Sequence, residues 1–238
     1  MFINSSPLSK PLLLALLALP ILSSSCRSTS SDASFDWLTD SPYSPTFAVL
    51  DTESSLGPYA NETKPITLAD LVKMHGHACD GLVTAACALK VGLDELYPDG
   101  VIDRTDTGCV SNNSPCYGDV SAYLTGGRIR FGTQKIDPQM GSRFRLVRFS
   151  TGEAVEVRLG EGVFPDAVHA LEAQLKSGTF TMEQLRACQT EQWRYAKGLL
   201  QHPLEESFVV QRLEGYAWEP DAYEHLGRRG DVLNKDAR

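Results

Sequence analysis

The chain has 238 residues, of which 22% are charged and 42% hydrophobic, enough apolar material for one domain of ordinary size with a soluble surface. A formal net charge of −8 and a sequence pI near 5.1 argue against nucleic acid as the main partner.

Lys10 precedes the apolar run 11–22, and Ser23, Ser24 and Ser25 follow it. That run is too short to span a bilayer and has the layout of an export signal, so residues 1–25 are predicted to be removed. Cys26 comes directly after the small residues, as in a bacterial lipoprotein signal, although Ser23 stands where that pattern prefers leucine. The expected outcome is lipidation of Cys26 and a membrane anchor at the bacterial envelope, periplasm or cell surface. Residues 26–65 are rich in Ser, Thr, Asp and Pro with scattered aromatics and weak periodicity, and they read as a tether and irregular arm.

The domain proper is expected over 66–162. Thr67 suits a helix N-cap, with Leu68, Leu71 and Val72 at helical spacing. The next stretch, Met74 to Leu82, carries His75, His77 and Cys79 at alternate positions. In an extended segment alternate side chains leave the backbone on one side, so the three are expected to converge. A helix follows over about 80–96, and a thiol just before a helix N-terminus is favoured as thiolate. Imidazole with thiolate is ligand chemistry for zinc and other borderline metals. It is equally the chemistry of an activated nucleophile, and the bland alternative is a packed loop.

Farther on, 101–105 reads as a short strand, and 108–119 as a polar loop bracketed by Cys109 and Cys116. A second helix runs through Val120, Tyr123 and Leu124 to Gly126 and Gly127. Strands are expected over 128–135, 143–149 and 154–159, with a hairpin turn at Gly152 and Glu153. A helical extension over 163–238 should contain helices from Pro165 to Lys176 and from Met182 to His202, the second capped by Thr181, before a polar tail. The order of periodicities implies an α+β fold: helix, strand, helix, then three strands in a mixed sheet, with the later helices outside.

The run from His75 to Leu82 resembles the GHxCPGL signature of the family named after FmdE, a component of formylmethanofuran dehydrogenase. Cys116, Asp119 and the Thr125-Gly126-Gly127 segment are similar to that family's later block, a Cys three residues before an Asp and then TGC. The likeness covers roughly residues 67–160. It implies the family's α+β fold, related to the catalytic domain of glyceraldehyde-phosphate dehydrogenase, and a metal site to which His75, His77, Cys79, Cys116 and Asp119 carry over. The chain departs from the pattern at Asp80 (proline in the family), at Gly127 (the cysteine of TGC) and at Gly132-Thr133-Gln134 (a glycine-lysine-glycine-asparagine step). It also lacks the CxxC pairs of the zinc ribbon that some members carry. Family membership leaves the reaction open.

Of the cysteines after Cys26, Cys87 and Cys188 lie in helical patterns and read as buried small hydrophobes. Outside the cytoplasm a Cys109–Cys116 disulfide is the default, whereas thiolates joining His77 and Cys79 would complete an N/S ligand set. The expected site is therefore His77, Cys79, Cys116 and His75, with Asp119 and Cys109 as ligands or supporting groups. Arg128 and Arg130, with Lys135, Arg143, Arg145 and Arg148, form a basic stretch in an acidic chain; the choice is between a solvated sheet face and an anionic ligand held beside the metal. Three function classes stay open: a metal- or metallocofactor-binding protein, a metal- or thiolate-dependent enzyme on a small anionic substrate, and a thiol-redox or interaction protein. A redox partner and a second copy of the chain are the further partners to consider. No serine triad, phosphate loop or dinucleotide fingerprint is present.

Overall fold

The computed structural model describes residues 36–50, 56–57 and 62–219. The export signal, Cys26 and the polar tail from Gly227 lie outside these residues. The fold is α+β, with helices and two mixed sheets.

The smaller sheet has three strands, β1 (Thr46–Leu50), β2 (Lys64–Thr67) and β3 (Val101–Asp103), in the order β2-β1-β3. β1 pairs antiparallel with β2 and parallel with β3. The arm expected to be irregular thus contributes a middle strand, whose Phe47 and Val49 are buried in the core. Ahead of it, α1 (Trp37–Asp40) buries Leu38. Local composition hides this strand because its partners come from far along the chain, and pairing rather than propensity makes it a strand.

α2 (Leu68–His75) opens on a capping box: Thr67 Oγ1 accepts from the Asp70 backbone N–H, and Asp70 accepts from the Thr67 N–H at 3.0 Å. Gly76 ends it at φ +99°, a left-handed conformation that glycine adopts without strain. α3 (Asp80–Leu96) is buried nearly all round, through Leu82, Val83, Ala85, Ala86, Leu89, Leu93 and Leu96. A helix apolar on every side belongs in the middle of a core.

The larger sheet has the order β5-β4-β6-β7-β8, from β4 (Thr107–Ser111), β5 (Gln134–Ile136), β6 (Arg143–Arg148), β7 (Ala154–Leu159) and β8 (Phe208–Arg212). Only β4 and β5 are parallel. Part of the expected polar loop is therefore β4, a strand buried at every residue. The strand expected over 128–135 is mostly a single 3-10 turn, Ile129–Phe131, with β5 after it.

α4 (Pro115–Thr125) follows β4 and packs beside α2 and α3. α5 (Asp166–Lys176) and α6 (Met182–Leu199) pack on each other, and α6 packs on α3, where Thr84 Oγ1 donates to Tyr195 Oη at 3.2 Å. Thr181 closes a second capping box with Gln184. α7 (Leu204–Ser207) leads into β8, so the extension expected to be helical ends by adding a strand to the sheet.

Candidate metal centre

The centre lies where two helices begin. Cys79 is the N-cap of α3, and its Sγ accepts from the Leu82 N–H at 3.3 Å. Cys116 is the second residue of α4. Their sulfurs are 3.3 Å apart, and neither is in a disulfide. His75, the last residue of α2, turns Nε2 toward both, 3.5 Å from Cys116 Sγ and 3.9 Å from Cys79 Sγ. Its Nδ1 lies 2.8 Å from Asp119 Oδ2, with the imidazole side chain only 4% exposed. Cys116 and Asp119 stand three apart on α4 and so share a helix face. One helix therefore supplies both a thiol and the carboxylate that orients the ring.

The close approach of α3 and α4 depends on Gly81. A Cβ there would stand 3.0 Å from Cys116 Sγ and 3.2 Å from Cys116 Cβ. Because both helices present their N-termini to the sulfurs, the positive ends of two macrodipoles meet at the thiol pair. A hydrogen bond from the Cys79 thiol is the largest influence on Cys116 and pulls it down to about 6 against the opposing effect of burial, with His75 adding to the drop. Cys79 moves upward, first because it is the donor to Cys116 and then because it is buried. The pair thus holds one proton between the two sulfurs over a wide pH range. Beside them Asp80 is pushed up to about 6, chiefly by burial and then by the negative charge of Glu172.

His75, Cys79 and Cys116 form a group of donors that all lie within 4.8 Å of one another. His77 is not drawn into that group. The segment from 75 to 79 is not extended: His75 closes a helix, Gly76 reverses the chain, and the alternation rule does not apply. His77 is exposed and rests its ring against His75, with centroids 4.5 Å apart. Cys109 is also elsewhere. It is fully buried in β4, its thiol pushed up to about 12 by burial, and it forms no bridge with Cys116. Cys87 and Cys188 are buried as expected.

Arg128 and Arg130 do not flank the centre. They follow the C-terminal end of α4, whose 11 residues put about 15 Å of helix between them and its N-terminal turn. The 3-10 turn also replaces the strand on which they were expected to share a face. Arg143 and Arg145 pair with Glu156 at 3.4 and 2.8 Å, which makes their strand an ion-paired sheet face. Arg148 pairs with Asp106, and Lys135 lies over the Trp218 ring.

Cations of α6 instead face His77 and Ala78, the two residues just before Cys79. His77 and Ala78 form one wall of a cleft of about 860 Å³. Arg186, Trp193, Arg194 and Lys197 form the other. These α6 positions recur at helical spacing on one face. Lys197 Nζ sits 5.3 Å over the Trp37 ring and 5.9 Å over that of Trp193.

A family model described as "FmdE, Molybdenum formylmethanofuran dehydrogenase operon" matches residues 74–209. Among solved structures, the chain is similar to a tungsten formylmethanofuran dehydrogenase FmdE-like protein from Syntrophus aciditrophicus. Identity is 17% and the TM-score 0.42, with 62% of this chain and 72% of that chain covered. No curated protein sequence matches the chain.

Proposed function

The chain belongs to the FmdE family, and from that premise we propose that it is a metal-binding protein in which His75, Cys79 and Cys116 hold a zinc-like ion while Asp119 orients His75. The observation that carries this reading is the convergence of one imidazole nitrogen and two sulfurs, 3.3 to 3.9 Å apart, from the ends of three helices. Zinc bonds of ~2.3 Å to sulfur and ~2.0 Å to nitrogen, at a tetrahedral angle, require ligand atoms roughly 3.5–3.8 Å apart, so the donor set fits such an ion. A carboxylate on the far nitrogen of a ligating histidine fixes its tautomer and raises its basicity, which is the role of Asp119. Among the described residues the group offers three donors, the number used by catalytic zinc sites. A bound ion would supply Lewis acidity. Gly81 keeps the sulfurs close, and Asp119 sets the imidazole.

Elemental analysis after mild purification tests the reading. One ion per chain is expected, with most of it lost from Cys79→Ser and Cys116→Ser. Equal metal content in wild type and both variants would refute the ligand roles.

A second reading has a specific observation in its favour. Cys116, His75 and Asp119 also stand in the order nucleophile, base and orienting group. The cleft that carries the cations of α6 is lined by His77 and Ala78, next in the chain to Cys79, and suits a small anionic substrate. Calorimetric titration with inorganic phosphate and with benzoate should show binding that weakens in an Arg186→Ala/Lys197→Ala variant. Identical behaviour of the variant would remove this reading.

Export and anchoring are proposed on the sequence of residues 11–26 alone. Among the described residues no helix is long and apolar enough to cross a membrane. Mass spectrometry of the mature N-terminus decides the matter: a lipidated Cys26 is expected, and a free N-terminus at any other residue would exclude it.

A further inference from the structure

We propose that Cys79 and Cys116 form a dithiol–disulfide exchange centre, whose oxidation by an anionic low-molecular-weight disulfide closes a Cys79–Cys116 bond and expels the metal. The release of metal rests on the metal-binding reading above. The exchange itself rests only on the sulfur geometry and on the surroundings of the pair.

Both sulfurs are free, both residues are partly exposed, and the sulfurs stand 3.3 Å apart. A disulfide bond is ~2.05 Å long, so about 1.3 Å of approach closes it. Both thiols sit in the first turns of helices rather than inside a strand ladder, so closing the bond breaks no sheet pairing. The other described cysteines cannot compete in the folded protein, because Cys87, Cys109 and Cys188 are each no more than 1% exposed.

The chemistry balances without an outside reductant. One sulfur of the pair attacks a sulfur of R–S–S–R, forming a mixed disulfide and releasing RS⁻. The neighbouring sulfur then attacks the protein-side sulfur of that mixed disulfide and releases the second RS⁻. The single proton held by the pair ends on one released thiolate, giving RSH, and the other leaves as RS⁻ and takes its proton from water. The protein loses two electrons and the small disulfide gains them. Oxidation removes two of the three donors, so His75 alone cannot retain the ion.

The partner class follows from the cleft. Cys79 is preceded by His77 and Ala78, which form one wall, and Arg186 and Lys197 stand on the other, where Arg194 is paired with Glu191 at 2.6 Å. A disulfide carrying carboxylates is drawn there, whereas a cationic one is repelled.

The test uses the full chain, with metal removed by chelator, incubated with oxidised glutathione and followed by thiol titration and peptide mass mapping. The expected result is loss of two thiols, a peptide linking residues 79 and 116, and an unchanged circular dichroism spectrum. Cys79→Ser and Cys116→Ser should instead each retain one glutathione adduct. Cys79 and Cys116 left reduced, a stable adduct on either of them in the wild type, or a link through Cys87, Cys109 or Cys188 would overturn the proposal. Zinc-loaded protein should release its ion in step with disulfide formation. A chain that never holds metal but still forms the 79–116 link would refute the metal reading and leave the exchange standing. Oxidised glutathione should react at least several-fold faster than cystamine, a cationic disulfide, and Arg186→Ala/Lys197→Ala should narrow that gap. Equal rates in the wild type would overturn the assignment of an anionic partner.

Discussion

Gly81→Ala puts a single methyl group where the two helices meet. Its Cβ would stand 3.0 Å from Cys116 Sγ and 3.2 Å from Cys116 Cβ. Ordinary contacts lie near ~3.5–4.0 Å, so Cys116 must move by roughly half an ångström. Inside a helix alanine is favoured over glycine by about 1 kcal/mol. Forcing a methyl into a filled site costs about 1–3 kcal/mol. The metal-free protein should therefore lose only about 0–2 kcal/mol, because the two effects oppose each other. Metal binding has no such compensation, since the displaced atom is itself a donor. If ~1–3 kcal/mol of strain returns whenever Cys116 is pulled back to an ion, affinity falls roughly 5- to 140-fold at ~1.4 kcal/mol per decade. Competition against a chelating indicator measures affinity, and thermal unfolding of the metal-free protein measures stability. Wild-type affinity in the variant would refute the argument that this glycine maintains the donor spacing.

Asp119→Ala should weaken metal binding by roughly 10- to 100-fold, the usual effect of removing the group behind a ligating histidine, while leaving the unfolding midpoint of the metal-free protein nearly unchanged. Equal affinity would show that the 2.8 Å contact to His75 does not tune the ligand. Cys116 drops from an ordinary thiol value near 9 to about 6 in the folded chain. Its folded value is the depressed one, so its contribution to stability is complete above about 9 and is lost as pH falls through 6. The thiolate ultraviolet absorbance of metal-free protein should accordingly rise with a midpoint near 6, and Cys79→Ala should move that midpoint upward by removing the donor; an unchanged midpoint would contradict the assigned cause. Cys109→Ser should retain full metal content while costing about 1–3 kcal/mol of stability for a hydroxyl buried in β4, and metal loss would return Cys109 to the ligand set.

The helices were the most legible part of the fold. α3 occupies 80–96 as read, because a capping residue followed by an unbroken apolar run specifies a helix locally. Thr67 and Thr181 were legible as caps for the same reason. The strands that escaped notice depend on distant partners. β1 sits in a segment of polar composition, and its partner β3 comes more than fifty residues later, at Val101–Asp103. β4 is buried on both faces and so lacks the alternation that marks a half-exposed strand, and its Gly108 and Ser111 look like loop residues. At the site, residue types pointed to the right stretch, but the geometry of His77 did not follow from them. One glycine in a left-handed conformation turned the alternation of 75, 77 and 79 into a helix end followed by a corner. The cations of α6 were overlooked because their relation to residues 77 and 78 exists only after α6 has packed on α3.

β1 has a practical consequence for any shortened version of the protein. β2 and β3 do not pair with each other; each is hydrogen-bonded to β1, which acts as the splint between them. A chain started at residue 66, where the domain proper is expected from the sequence, would lose that splint together with Phe47 and Val49, and would leave β3 without its pairing strand. Bare edges invite pairing with other molecules. The far end of α3 feeds directly into β3, so the helix whose first residues carry the thiol would be unsupported at its other end. A minimal version that keeps this centre in shape therefore has to start upstream of Thr46.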